Sequence, residues 1–260
     1  VIVTDDSPGN LVELVCKEYA GSFHLKYFKN EKALGSPANW NVAISKASGE
    51  WIKILHHDDW FANAESLEKY YAAIQNGADF IFAGFVEIDE EATKSKLNIL
   101  NNSTIELLKK SPYNLFKKNY IGHPSTTLIK NFTGPWFNER FKWVVDFEFY
   151  IRRLLLNKNF VYINEPLINI GISDQQVTKS AFRNPQVEIP ENMHLLNLIG
   201  TKQLRNIFVY DYYWRLLRNL SVRKIDDMAA YVDLSAIPRP IKSMLTFQSL
   251  FPLSLLKVGF

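Results

Sequence analysis

Cysteine is almost missing. Cys16 is the only one in 260 residues, so no internal disulfide can form and the chain fits a reducing, cytoplasmic compartment. Set among Leu11, Val12, Leu14 and Val15, Cys16 reads as a buried helical thiol. Long apolar runs are missing as well: nothing approaches the ~18 consecutive apolar residues of a membrane-spanning helix. A dominant charge is missing too. Thirty Lys and Arg against 27 Asp and Glu leave a net +3, with a sequence pI of about 8.7. That balance is too weak to point to nucleic acid, and no such partner is expected. Internal repeats and low-complexity tracts are absent, which excludes solenoids and arrays. What the chain has in plenty is aromatic: 6 Trp, 12 Tyr and 18 Phe within 47% hydrophobic residues. That supplies a sizeable core, with aromatics to spare for facing a sugar or a membrane.

The first half alternates between strand and helix periodicities. Val1 to Thr4 is a β-branched run, closed by the turn chemistry of Asp5-Asp6-Ser7-Pro8-Gly9-Asn10. Leu11, Leu14, Val15, Cys16 and Tyr19 then recur at helical spacing. His24 to Phe28 reads as a second strand, Pro37 to Ala47 as a helix capped by Ser36, and Trp51 to Leu55 as a third strand. A further helix burying Leu67, Tyr70, Tyr71 and Ile74 precedes a strand over Asp79 to Val86. Such alternation predicts a mostly parallel sheet flanked by helices. Beyond it the pattern is less regular. Glu87 to Ser103 reads as a loop or hairpin, Ile105 to Asn119 as two short helices and Ser125 to Lys130 as a strand. Asp146 to Leu156 is an amphipathic helix, and Phe160–Ile163 and Leu167–Ile170 are two short strands. Ser173 to Pro190 reads as a polar loop, with mainly helix from Glu191 onward.

The most informative segment is His56-His57-Asp58-Asp59-Trp60, at the end of the run Trp51-Ile52-Lys53-Ile54-Leu55. Open α/β sheets bind ligands at the carboxyl edge of their strands. Two carboxylates ~4 Å apart repel by about 4 kcal/mol at an effective dielectric near 20. A divalent cation removes that penalty and clamps a diphosphate. A solvated acidic turn is the plainer alternative. A His/Asp metal phosphohydrolase is another, but beyond His56 and His57 only His24, His123 and His194 are available as further ligands.

Five stretches together resemble family-two glycosyltransferases: VIVTDDSPGN, NWNVAISKASGEWIKILHHDDW, GHPSTTLIK, FNERFKWVVDFEFYIRRL and NIGISDQQVT. The resemblance implies a GT-A (nucleotide-diphospho-sugar transferase) domain over residues 1–178 and a mainly helical C-terminal extension over 179–260. It implies inverting transfer of a sugar from a nucleotide-sugar, UDP-linked, to a hydroxyl acceptor of a surface glycan or lipid-linked saccharide. Asp6 would bind the nucleobase, with an Asx-turn residue as its alternative; Asn41 would support the nucleotide-diphosphate region or equally be an exposed polar residue of its helix; and Asp58 would contact the ribose or the metal shell. Asp59 would ligate Mn2+ or Mg2+. Asp146 would be the catalytic base, with an ordinary helix N-cap as its alternative. His56 stands where many relatives carry an acidic residue, and Val145 where they carry another. One of His56 and His57 is expected to point inward as a satisfied core histidine. Trp60 and Trp143 could stack on an acceptor sugar, with core or wall packing as the preferred reading; His123 is a candidate to border the acceptor side, and Gln176 and Thr178 to close the donor site. Glu148 is a weaker substitute for Asp146. In the resembled family a strand, a tyrosine-bearing loop and a helix precede the matching segment, so a chain short of its first strand is expected. A nucleotide-sugar-binding domain without activity is the main alternative function. The apolar, lysine-bearing tail from Ile241 permits contact with the inner membrane face, although packing as a helix pair on the domain is the preferred reading.

Overall fold

The computed structural model describes residues 1–89, 91, 93–173 and 181–252. Strands and helices alternate as expected through β1 (Ile2–Asp5), α1 (Leu11–Tyr19), β2 (Lys26–Lys29), α2 (Ala38–Ser45) and β3 (Trp51–Lys53). A short strand the sequence did not announce, β4 (Asp59–Phe61), begins on the acidic pair itself. Then come α3 (Ser66–Ala73), β5 (Phe80–Asp89), β6 (Ser95–Asn98), α4 (Asn102–Lys110), β7 (Thr127–Lys130), α5 (Val145–Leu156) and β8 (Phe160–Ile172). Helices α6 (Pro185–Ile199), α7 (Ile207–Asn219) and α8 (Arg239–Ser249) complete the described chain.

β1 and β2 form a parallel pair, and the remaining strands form one sheet in the order β3-β7-β5-β8-β4, with β6 added beside β5. The long strands β5 and β8 run parallel through its centre. The flanking pairings, β3 with β7, β5 with β7, β4 with β8 and β5 with β6, are antiparallel. Of the antiparallel pairs only β5 and β6 follow one another in sequence; the other three bring together strands that lie far apart along the chain. The two short strands expected after residue 160 are one long strand. Its register slips between Ile163, opposite Ala83, and Pro166, opposite Gly84. Pro166 has no N–H for the ladder, so the interruption visible in the sequence becomes a bulge rather than an end.

The larger of two core clusters joins the sheet to the C-terminal helices, and the smaller gathers Tyr70, Ile81, Leu128 and Ile168. Phe116 packs edge-on against Phe147 of α5 and Tyr212 of α7, while Tyr150 meets Phe80 of β5. The expected boundary near residue 178 falls outside the described residues. Helix α8 buries Ile241, Met244 and Leu245, so the described part of the tail packs on the domain. The polar loop expected up to Pro190 is helical from Pro185. Asn184 accepts the Gln186 N–H and Pro185 takes the first helical position, a start signal that outweighs the polar composition. Cys16 is buried as expected, but Leu11, Leu14, Val15 and Tyr19 of α1 are exposed. No helix among the described residues is long and apolar enough to cross a membrane.

Among the described residues, β1 has a strand neighbour only in β2, and β3 only in β7. Their other edges face a cleft of about 1200 Å³, lined by Ile2, Val3 and Thr4 on one side and Trp51, Ile52 and Lys53 on the other.

Candidate active site

The acidic segment hangs between two strands. The Asp58 carbonyl accepts the Gly171 N–H at 3.1 Å, and Asp59 opens β4 opposite Ile170 of β8. The approach is so close that a Cβ on residue 171 would lie 2.4 Å from the Asp58 carbonyl oxygen, so only glycine fits. His56 is pinned by its N–H to the Ser125 hydroxyl at 3.0 Å and by stacking on Trp40, ring centroids 4.5 Å apart.

Burial pushes His56 down to about 3, with His123 acting in the same direction, so its imidazole is neutral and keeps a lone pair for a metal. Burial pushes the Asp59 carboxyl up to about 6; the Ser125 hydrogen bond opposes this and the neighbouring Asp58 charge adds to it. His56 Nδ1 lies 3.7 Å from Asp59 Oδ2. Two buried atoms here, His56 Nε2 and Asp59 Oδ2, have no hydrogen-bond partner. Orphaned buried polar atoms are rare, and a bound ion is one way to satisfy a nitrogen and a carboxylate oxygen left bare side by side. His56, Asp58 and Asp59 offer ligand atoms within 4.8 Å of one another, a nitrogen and oxygen set that suits Mn2+ and tolerates Mg2+. Of the two histidines, His57 is exposed; His56 turns inward but is not the satisfied core residue expected, because its Nε2 is unpaired.

Lys53, which sequence reasoning passed over, sits behind this cluster. Its Nζ donates to the carbonyls of Ile54 and Ser125 and lies over the Tyr70 and Phe61 rings at 5.1 and 5.7 Å. Burial lowers its pKa to about 7, against the pull of Asp59. The signal was present: one lysine inside the apolar run Trp51-Ile52-Lys53-Ile54-Leu55.

Asp146 lies in the first turn of α5, and the N-cap position falls to Val144, which supplies no side-chain cap. The capping alternative therefore does not describe it. Asp146 Oδ1 accepts the Phe147 N–H at 2.9 Å, and Oδ2 accepts the Asn119 amide at 3.0 Å. Burial pushes its carboxyl up to about 6, and those hydrogen bonds restrain the rise. Asn119 also holds the Gly122 backbone through both amide atoms, which ties the acceptor-side loop to Asp146. Glu148 is paired with Arg152 at 2.7 Å and is not an alternative base.

His56, Asp58, His123, Trp143 and Asp146 all line the large cleft. Asp6, Asn41 and Trp60 do not, and Asp59 stands just behind the lining, next to Asp58 and His56. Asp6 holds the loop before α2 by accepting from Asn30 at 2.6 Å, Leu34 N–H at 3.1 Å and Gly35 N–H at 2.7 Å. Asn41 pairs with both backbone groups of Phe137 and donates to Glu139 at 2.9 Å, so its amide clips α2 to a distant loop. Gln176 and Thr178 lie outside the described residues.

Comparison with known proteins bears on the family and the fold. The profile of glycosyl transferase family 2 matches residues 1–134, ending before Asp146. A glycosyltransferase of Methanocaldococcus jannaschii, itself uncharacterized, is 29% identical over 184 residues, 67% of this chain and 60% of its own length. The chain thus spans about three fifths of that curated relative. Among solved structures, S. aureus TarS 1–349 bound to UDP superposes with a TM-score of 0.57 at 17% identity, covering 96% of this chain and 77% of that one. The mannosyltransferase PcManGT of Pyrobaculum calidifontis, in complex with GDP-Man and Mn2+, gives 0.54 at 14% identity over 99% and 76%. The fold shared with these transferases is the GT-A fold of the α/β class. With more than half its length inside the family profile, the chain belongs to glycosyl transferase family 2.

Proposed function

We propose that the protein is an inverting glycosyltransferase. It moves a sugar from a nucleotide-sugar, UDP-linked, to a hydroxyl of a surface glycan or a lipid-linked saccharide, on the cytoplasmic side of the membrane. One observation carries the reading: His56, whose Nε2 is unpartnered and which sits 3.7 Å from the unpartnered Asp59 Oδ2, lines the same cleft as Asp146. The nucleotide-sugar complexes of the structural neighbours are consistent with it.

Asp59, with Asp58 and His56 beside it, would hold a divalent cation. A cation held there would supply positive charge against the leaving diphosphate. At neutral pH Asp146 is mostly ionised and presents an oxygen fixed by Asn119. It accepts the proton of the acceptor hydroxyl as that oxygen attacks the anomeric carbon, and single displacement inverts the centre. Trp143, at the cleft beside Asp146, offers a face for the acceptor ring. Asp6 is the candidate for the nucleobase: a carboxylate accepts about four hydrogen bonds, and the three donors already on it leave room for a ring N–H.

The test is calorimetric titration with UDP and GDP, with and without Mn2+. Binding of UDP should require Mn2+ and vanish in Asp59→Ala. Asp146→Asn should bind as the wild type does yet fail to turn over; unimpaired turnover would leave a binding domain with no role for that carboxylate. A folded protein that binds no nucleotide would end the reading.

A further inference from the structure

Helix α5 carries Asp146 in its first turn, yet no side chain of its own segment caps it. The N–H groups just ahead of the helix must find acceptors elsewhere. They find Glu191, a buried carboxylate on α6. Glu191 Oε1 accepts the Lys142 N–H at 2.7 Å, and Oε2 accepts those of Trp143 at 2.8 Å and Val144 at 3.2 Å. Consecutive amides converging on one anion form a concave nest, here occupied by the protein's own side chain. The next residue grips the same turn by another route. Asn192 Oδ1 accepts the Tyr212 hydroxyl at 2.7 Å, and the Tyr212 ring stacks on Phe147, the neighbour of Asp146.

We propose that Glu191 is a positioning residue for Asp146: by clamping residues 142–144 it sets where the carboxylate stands in the cleft. The proposal rests on the reading of Asp146 as the base. The clamped residues line the cleft together with Asp146, so any relaxation of the segment moves the reacting oxygen. A misplacement of ~1 Å can cost about 100-fold in rate. The donor-side cluster is held by other groups, Ser125, Gly171 and Trp40. Loss of the clamp therefore separates turnover from donor binding. It also makes the C-terminal helices part of the catalytic unit, because the clamp reaches across from α6.

The experiment compares wild type, Glu191→Gln and Glu191→Asp as full chains. Turnover is read as UDP release from UDP-GlcNAc, with water or p-nitrophenyl glycosides as acceptor. Gln puts an NH2 against backbone N–H groups, and kcat should fall about 10- to 100-fold. Donor KM and Mn2+-dependent UDP affinity should stay within about twofold. Asp, with the charge kept on a shorter arm, should recover part of kcat. If these acceptors give no turnover, the carboxyl carbon resonance of Asp146 is the readout, moved by Glu191→Gln and unmoved by Asp59→Ala. If Glu191→Gln does not fold, Tyr212→Phe releases the second grip and carries the same comparison. Wild-type kcat, an unmoved resonance, or donor affinity falling in step with kcat would overturn the proposal. Asp146→Asn assayed alongside separates the two levels. Full turnover there removes the base assignment and the clamp with it, whereas an inactive Asp146→Asn beside a fully active Glu191→Gln removes the clamp alone.

Discussion

Replacing Asp146 by Asn should remove activity and add stability. Burial lifts this carboxyl from 3.8 to about 6, so between those values the folded protein keeps a proton that the unfolded chain has released. Stability therefore falls as pH rises through that window and stays lower above it. At about 1.36 kcal/mol per unit, a lift of about 2 units makes the ionised carboxylate a liability of about 3 kcal/mol at pH 8. Asn carries no charge and escapes this. It also loses the acceptor that the Asn119 amide uses at 3.0 Å, a loss of about 1 kcal/mol. The expected net gain is about 2 kcal/mol at pH 8, roughly 4 °C in Tm for a chain this long. It should vanish by pH 4, where Asp146 is protonated in the folded state and nears its unfolded value of 3.8, so that most of the penalty is gone. Transfer should drop about 10²- to 10⁴-fold, the usual contribution of a general base. Thermal melts at pH 8 and pH 4, run beside the UDP-release assay, test both halves. A variant no more stable than wild type at pH 8 would refute the claim that burial strains this carboxylate. An equal gain at pH 4 would assign the effect to something other than charge.

Two further outcomes follow from the donor side. Asp59, lifted to about 6, must lose its proton to ligate a cation. Mn2+-dependent UDP affinity should therefore weaken about tenfold from pH 7 to pH 5, while His56, held near 3, does not titrate in that range; calorimetry showing equal affinity at both values would remove Asp59 from the ligand set. Gly171→Ala would place a Cβ 2.4 Å from the Asp58 carbonyl oxygen. We expect about 1–3 kcal/mol of destabilisation in urea and a weaker metal response, and an unchanged urea midpoint would mean that the loop yields freely.

Local chemistry was readable in the sequence where it is written locally. An apolar run ending in Asp58-Asp59 announced a strand edge and a cluster of candidate metal ligands, and Asp146 at the head of an amphipathic run announced a carboxylate on a helix. The helical spacing in α1 was equally plain, yet four of its apolar residues face solvent, because periodicity shows that a face exists and not what covers it. β4 was unreadable because three residues become a strand only where β8 lends them a partner. His56 looked like a departure from the acidic pattern; its place beside Asp59 depends on stacking against Trp40, which no spacing predicts. Asn41 looked like a nucleotide residue, yet its amide reaches a segment 96 positions away. Asn119 and Glu191 act on the Asp146 segment from 27 and 47 to 49 positions off, and a lone Asn or Glu carries no mark of such a partner.

The edges of β1 and β3 that are open among the described residues, and the bare stripe on α1, also govern how the protein behaves in a tube. An unpaired strand edge offers hydrogen bonds to any extended chain that arrives, and contiguous exposed apolar surface rewards association. With a net charge of only +3 there is little repulsion to oppose either. Colloidal stability will thus be poorest near the pI of about 8.7, and dilute, mildly acidic storage will keep more of the protein in solution than buffers at pH 8 to 9.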